Sequence, residues 1–181
     1  MRFDIKAISR TTGAVMEAEA VAAPNDVGLD FPGFTFDPAS RVTLSGSIQN
    51  AGHGLLVLTG EVSAEYGALC ARCLTPILRT IRIPIRETYR SLRTNPGERT
   101  TEPEPEESGE DETYVYDDYT VDVSEAVREN LLTALPIREL CRPDCAGLCP
   151  VCGADRNKNP CGCLEGQDPD RNPFGKLKNL L

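Results

Sequence analysis

The stretch Arg41–Tyr66, "RVTLSGSIQNAGHGLLVLTGEVSAEY", decides the fold. In its first half Val42, Leu44 and Ile48 share one parity; in its second half Leu56, Leu58, Val62, Ala64 and Tyr66 do the same. Successive side chains of a strand point to opposite faces, so this alternation marks two half-buried strands. Between them "AGHG" (Ala51–Gly54) reads as a turn, which makes the pair an antiparallel hairpin. His53, the single histidine of the chain, falls in that turn. A solvated turn residue is the simpler reading of it than a functional base.

The same pattern continues on the C-terminal side. In "ILRTIRIPIRETY", Ile77, Ile81, Ile83, Ile85 and Tyr89 alternate against Arg82, Arg86 and Arg90. Pro84 lacks a backbone donor and favours an edge or a bulge in this strand. On the N-terminal side "RFDIKAIS" and "VMEAEAVAA" are shorter strand candidates separated by "RTTG", and Val27–Ala39, with its prolines and glycines, suits a loop. Beyond the arginine strand, Asn95–Thr113 carries no large apolar residue and reads as a mobile acidic linker. "YVYDDYTVDV" is a further apolar–polar stretch. In "SEAVRENLLTALP", Val127, Leu131 and Leu135 recur at helical spacing, with Ser124 as the expected cap and Pro136 as the stop. "DRNPFGKLKNLL" reads as a short closing helix.

These readings give an α+β chain, mainly β: an antiparallel curved sheet or partial barrel, one packed helix and a C-terminal zinc-knuckle segment. The expected division is a β-rich part over 1–94, an acidic linker over 95–113, and a strand plus helix over 114–136 completing the domain. A Cys-rich segment over 137–165 and a short helix over 166–181 follow.

Composition narrows the function classes. No apolar run approaches the roughly 20 residues that span a bilayer, and "MRFDIKAISR" lacks the apolar core of a secretory signal. A soluble cytoplasmic protein is expected. The net charge of −9 argues against non-specific nucleic-acid binding. The charge is uneven, however: Cys70–Arg99 holds seven arginines against two glutamates, and Thr100–Val127 holds eleven carboxylates and no base. Arg79, Arg82, Arg86 and Arg90 are the candidate surface for RNA or a partner, although such a strand is more often a solvated sheet face.

Six of the eight cysteines fall in "LCRPDCAGLCPVCGADRNKNPCGC" (Leu140–Cys163). In a reducing cytosol, such crowding points to metal binding or redox work before disulfides. Cys149 and Cys152 form a C-x-x-C turn followed by Gly153, the shape of a zinc knuckle. Cys161 and Cys163 lie within a loop's reach, so Cys149, Cys152, Cys161 and Cys163 form the first four-thiolate zinc site. Cys70 and Cys73 make a second C-x-x-C, which Cys141 and Cys145 complete as a second site. The alternatives are a single zinc with the remaining thiols buried as small hydrophobes, an iron–sulfur cluster, or a thioredoxin-type dithiol at Cys70 and Cys73. A strand, not a helix start, follows Cys73, which disfavours the dithiol. One or two zinc ions are thus expected, and structural ones, since four thiolates leave no open position for a substrate. Each adds a formal −2 to a charge counted with neutral thiols. No phosphate loop, nucleophile elbow or paired carboxylates in an apolar setting stand out, so no catalytic residue and no small-molecule substrate are expected.

Taken together, C-x-x-C before a strand, the acidic loop, the helix ending "ALP", "LCRPDCAGLCPVCG" and the closing "DPDRNPF" followed by spaced leucines resemble the bacterial YceD family. That family is described as the large ribosomal RNA subunit accumulation protein. The resemblance spans about residues 40–181 and is strongest from Leu135 onward. It implies a role in the synthesis, processing or stability of 23S ribosomal RNA, with ribosomal RNA or a ribosomal or RNA-processing protein as partner. It implies no catalysis. Some members lack the cysteine cluster, so zinc would stabilise a subgroup. A redox- or zinc-responsive regulator acting through its C-x-x-C thiols is the alternative function.

Overall fold

The protein is described by a computed structural model over residues 1–92 and 114–164. The expected acidic linker over 95–113 and closing helix over 166–181 lie outside the described residues. Two compact units result: Met1–Gly67 with Leu78–Pro136 form one, and Ala68–Ile77 with the chain from Ile137 onward form the other.

The first unit is built on long strands. β1 spans Arg2–Asp4, β2 Val15–Ala22, β3 Phe34–Thr35, β4 Val42–Gly52 and β5 Leu55–Leu69. β6 spans Pro76–Ser91, β7 Tyr114–Tyr116, β8 Thr120–Asp122, and helix α1 Ser124–Ala134. The main sheet runs in the order β2-β4-β5-β6-β7, with β3 also paired to β5. β2 is antiparallel to β4 from Val15↔Gln49 to Ala22↔Val42, and β4 to β5 from Thr43↔Ser63 to Gly52↔Leu55. The quoted stretch is therefore one hairpin. Its loop is His53–Gly54, both at positive φ (53° and 74°), the two-residue turn whose twist matches that of the strands.

The alternation does what the sequence predicts. Leu44, Ile48, Leu56, Leu58, Val62 and Ala64 are buried together with Ala18, Ile85 and Tyr89. Each fully buried Leu, Ile or Val contributes roughly 1.5–3 kcal/mol relative to exposure. Gly46 and Gly60 sit opposite each other in the middle of this hairpin. A Cβ on Gly46 would lie 2.2 Å from Thr59 O, and one on Gly60 2.5 Å from Ser45 O. Only glycine fits so close an approach of the two backbones.

Three expectations need correction. The sheet is mixed where a wholly antiparallel one is expected: β7 runs parallel to β6, pairing Tyr89–Ser91 with Tyr114–Tyr116. The strand expected over Arg2–Ser9 stops at Asp4 and pairs with β8 in a separate two-stranded ribbon, because turns begin at Lys6. Ser124 is not the cap of α1 but its first residue. Val123 precedes it, with its N–H on Met1 O (2.8 Å), and the Asp122 carboxylate accepts the Ser124 N–H (3.0 Å). Asp122 also holds Arg2 Nε at 2.9 Å and the Met1 amine at 3.5 Å. Burial opposes ionisation of Asp122, but these donors outweigh it and hold the carboxyl well below the usual range. Ala126, Val127 and Leu131 turn the apolar face of α1 into the core.

Candidate metal sites

In the second unit, Ala68–Ile77 is the turn where β5 ends and β6 begins. It folds as a knuckle. The Cys70 N–H donates to Thr75 O (2.9 Å) and the Leu74 N–H to Cys70 O (2.9 Å), with Leu74 at φ 59°. The second C-x-x-C repeats this pattern bond for bond. The Cys149 N–H donates to Ala154 O (2.8 Å) and the Gly153 N–H to Cys149 O (2.9 Å), with Gly153 at φ 73°. In this geometry backbone N–H groups approach the first sulfur, and Val151 N lies 3.4 Å from Cys149 Sγ. The sequence marks the second knuckle with glycine. Leu74 carries no such mark, and its left-handed backbone could not be foreseen.

Each knuckle meets two further thiols. Cys70, Cys73, Cys141 and Cys145 converge in one group, and Cys149, Cys152, Cys161 and Cys163 in another, with the sulfurs of each group within 4.8 Å of one another. Cys70 Sγ is 3.8 Å from Cys145 Sγ, and Cys73 Sγ 3.6 Å from Cys141 Sγ. A tetrahedral ion with ~2.3 Å zinc–sulfur bonds places its sulfurs ~3.8 Å apart. The spacing and the donor set therefore fit a tetrahedral, thiophilic divalent ion, and both clusters could hold a metal ion.

The acidities point the same way. Burial opposes ionisation of Cys70, but the backbone N–H groups of Cys141, Cys73 and Arg72 outweigh it and hold the thiol at about 6. Burial and the sulfurs of Cys145, Cys73 and Cys70 push Cys141 up to about 12. In the other group, the backbone N–H groups of Cys152 and Val151 hold Cys149 at about 6, and the Cys152 and Cys161 sulfurs push Cys163 up to about 12. One thiol of each group is set to be an anion and another resists to the last. Four sulfurs this close cannot share four negative charges without a cation among them.

The surroundings of the first group are built by residues the sequence did not single out. Arg72 donates to Cys145 O (2.9 Å), its own carbonyl accepts the Leu148 N–H (2.9 Å), and the Ala71 N–H donates to Glu139 O (2.8 Å). Thr75 Oγ1 lies 3.2 Å from Cys73 Sγ, and Ile77 and Leu148 pack against the group. Gly147 has φ 72°, and a Cβ there would stand 3.0 Å from Arg72 O. Asn157 reaches across from the loop between Cys152 and Cys161. Its Nδ2 donates to Cys145 Sγ (3.4 Å) and Asp155 Oδ1 (2.7 Å), and its Oδ1 accepts from Ala146 N and Arg142 (2.8 Å each). All four bonding capacities of the amide are used.

The arginine candidates lie on β6 in the first unit, and Arg79, Arg82, Arg86 and Arg90 are all exposed. Alternation puts Arg82, Arg86 and Arg90 on one face with Pro84; Arg79 has the parity of Ile81 and Ile83. Among the described residues β7 borders β6 only at Tyr89–Ser91, so Pro84 sits where the strand is an edge. Among those residues, too, no helix is long and apolar enough to cross a membrane.

Comparison with known proteins adds identity to this geometry. The family described as large ribosomal RNA subunit accumulation protein YceD matches residues 58–181, a span that includes the arginine strand and every cysteine. An uncharacterized protein of Mycobacterium tuberculosis is 31% identical over the whole chain, which covers 81% of that protein. One from Mycobacterium leprae is 26% identical over 99% of the chain and 76% of its own length. An Arabidopsis thaliana protein described as a chloroplastic YCED homolog is 32% identical over 62 residues, 34% of this chain and 19% of that protein. No solved structure matches.

Proposed function

We propose that this chain, which belongs to the YceD family, is a non-enzymatic ribosome-biogenesis factor. It supports the synthesis, processing or accumulation of 23S ribosomal RNA and is stabilised by structural zinc. The observation that carries the reading is the family match, whose description names a ribosome-related role and whose span covers most of the β4–β5 hairpin's second strand, β6 and both cysteine groups.

The donor sets support the structural part. Two groups of four thiolates, backed by N–H donors, suit zinc and leave it no position for a substrate. Zinc supplies folding energy in such a segment, because its ligands converge only in the folded chain. The partner is ribosomal RNA, a ribosomal protein or an RNA-processing protein, met in the cytoplasm, with Arg82, Arg86 and Arg90 as the phosphate-facing stripe and Arg79 beside it. Among the described residues no ion pair engages Arg82, Arg86 or Arg90. The test is depletion of the protein in cells that carry it, followed by quantification of both ribosomal RNAs. The 23S species is expected to fall relative to 16S; an unchanged ratio refutes the reading.

The regulator alternative keeps one supporting observation: Cys152 and Cys163 are exposed. It shifts the responsive thiols away from Cys70 and Cys73, which are 0% and 7% exposed.

A further inference from the structure

The two cysteine groups differ in what covers them. In the first, Cys70, Cys73 and Cys145 are buried and Cys141 is half-buried. In the second, Cys149 alone is buried, while Cys152 and Cys163 are exposed among the described residues. A chelator or competing thiol takes an ion by bonding to it before the last protein ligand leaves, so access to the ligands governs the rate. The outer group gives that access and the inner group does not.

The groups are also joined. The loop between Cys152 and Cys161 is folded against the segment between Cys145 and Cys149: Leu148 bridges Asp155, and the Arg156 N–H donates to Gly147 O (3.0 Å). From that loop Asn157 donates to Cys145 Sγ, an inner ligand, and accepts from the Ala146 N–H beside it. The loop's ends are Cys152 and Cys161, two outer ligands, so an outer ion fixes both ends of the loop that carries Asn157. A donor to a ligating sulfur orients that ligand and stabilises its negative charge, and removing such a donor costs 10–100-fold in metal affinity.

We propose that the two groups form a graded, coupled pair: the outer ion exchanges, the inner ion is retained, and Asn157 relays outer occupancy to the inner site. This rests on the zinc reading of both groups. Release of the outer ion then loosens the inner one without exposing it, so the zinc-responsive element of the chain is Cys149–Cys163.

The test uses the full chain loaded with zinc and challenged with a chromogenic zinc chelator. Wild type is expected to release its two ions in two phases, and Cys163→Ser to lose the fast phase alone. In Cys163→Ser the remaining ion is expected to bind about 10–100-fold more weakly than the slow ion of wild type. Asn157→Ala should keep two ions, weaken the slow one by a similar factor, and remove most of the further effect of Cys163→Ser in the double variant. Release of both wild-type ions in one phase overturns the proposal and leaves the zinc reading standing. So does an inner affinity in Cys163→Ser that is unchanged within twofold. A wild-type chain that takes up no zinc overturns both, and that result needs no variant to fold.

Discussion

Gly147 and Gly153 stand at the same backbone angle, with φ of 72° and 73°, but in different surroundings. Nothing lies within 4 Å of a Cβ added at Gly153, whereas at Gly147 it would stand 3.0 Å from Arg72 O and 3.3 Å from Arg72 Cβ. Gly153→Ala therefore costs only the left-handed conformation, about 1–2 kcal/mol. Gly147→Ala costs that and a forced separation of two backbone segments, about 1–3 kcal/mol more. On the proposed zinc reading, metal binding and folding of this segment are one process, so the strain appears as lost metal affinity, a factor of ten for every ~1.4 kcal/mol. Gly153→Ala is expected to lower zinc affinity about tenfold and Gly147→Ala about a hundredfold. Competition with a chelator of known affinity reads both. Gly13→Ala, at φ 84° in the first unit with open space around its Cβ, is the control and leaves zinc affinity unchanged. Equal losses for the two glycines would refute the close approach of Gly147 to Arg72. No loss in either would show that the turns are already formed, and equally strained, without the ion.

Three further outcomes follow from the same structure. Because Cys70 and Cys149 ionise at about 6, one thiolate per site is already present at pH 8 and absent at pH 5. Zinc binding should then release about four protons per ion at pH 5 and about three or fewer at pH 8, read by titration calorimetry in buffers of different ionisation heat; a count that does not fall with pH contradicts the assigned acidities. Asp122 has a depressed folded pKa, so its stabilisation is full above the unfolded value near ~3.9 and is lost as pH falls through the folded one. With 44% of its side chain exposed, Asp122→Asn should cost about 1 kcal/mol or less at pH 7 and progressively less as pH falls below ~3.9, by urea denaturation; a cost that does not shrink with falling pH counts against it. Replacing Arg82, Arg86 and Arg90 by Glu should reduce the 23S RNA cross-linked to the protein in cells without lowering its melting temperature, and undiminished cross-linking removes the stripe as the interface.

Local signals carried the parts of the fold that depend on neighbours in sequence. The β4–β5 hairpin is legible because apolar residues alternate on both sides of a turn that needs positive φ, and Ala126–Leu131 because its period is helical. Pairings between distant segments left no trace: "YVY" reads the same whether it runs parallel or antiparallel to β6, and Arg2–Asp4 reads the same beside β8 as beside β2. Ser124 is a good cap in isolation, but Asp122 is two residues upstream and already anchored by Arg2. The contiguous run from Cys149 to Cys163 can be grouped by spacing alone, since turns of few residues confine it. Bringing Cys70 and Cys73 to Cys141 and Cys145 requires tertiary structure, and the spacing suggested that grouping only by elimination. Asn157 and Arg72 escaped notice because an amide and a guanidinium are ordinary in loops; what distinguishes them is that Asn157 has every bonding position filled and that Arg72 is fastened through both its side chain and its carbonyl.

Whether the eight cysteines hold two ions in all-sulfur surroundings, as proposed, is read most directly by X-ray absorption at the zinc edge of the purified chain. The expected spectrum has four sulfur atoms bonded to each zinc at ~2.3 Å. One or more nitrogen or oxygen ligands per zinc would contradict the division of the cysteines into two groups of four.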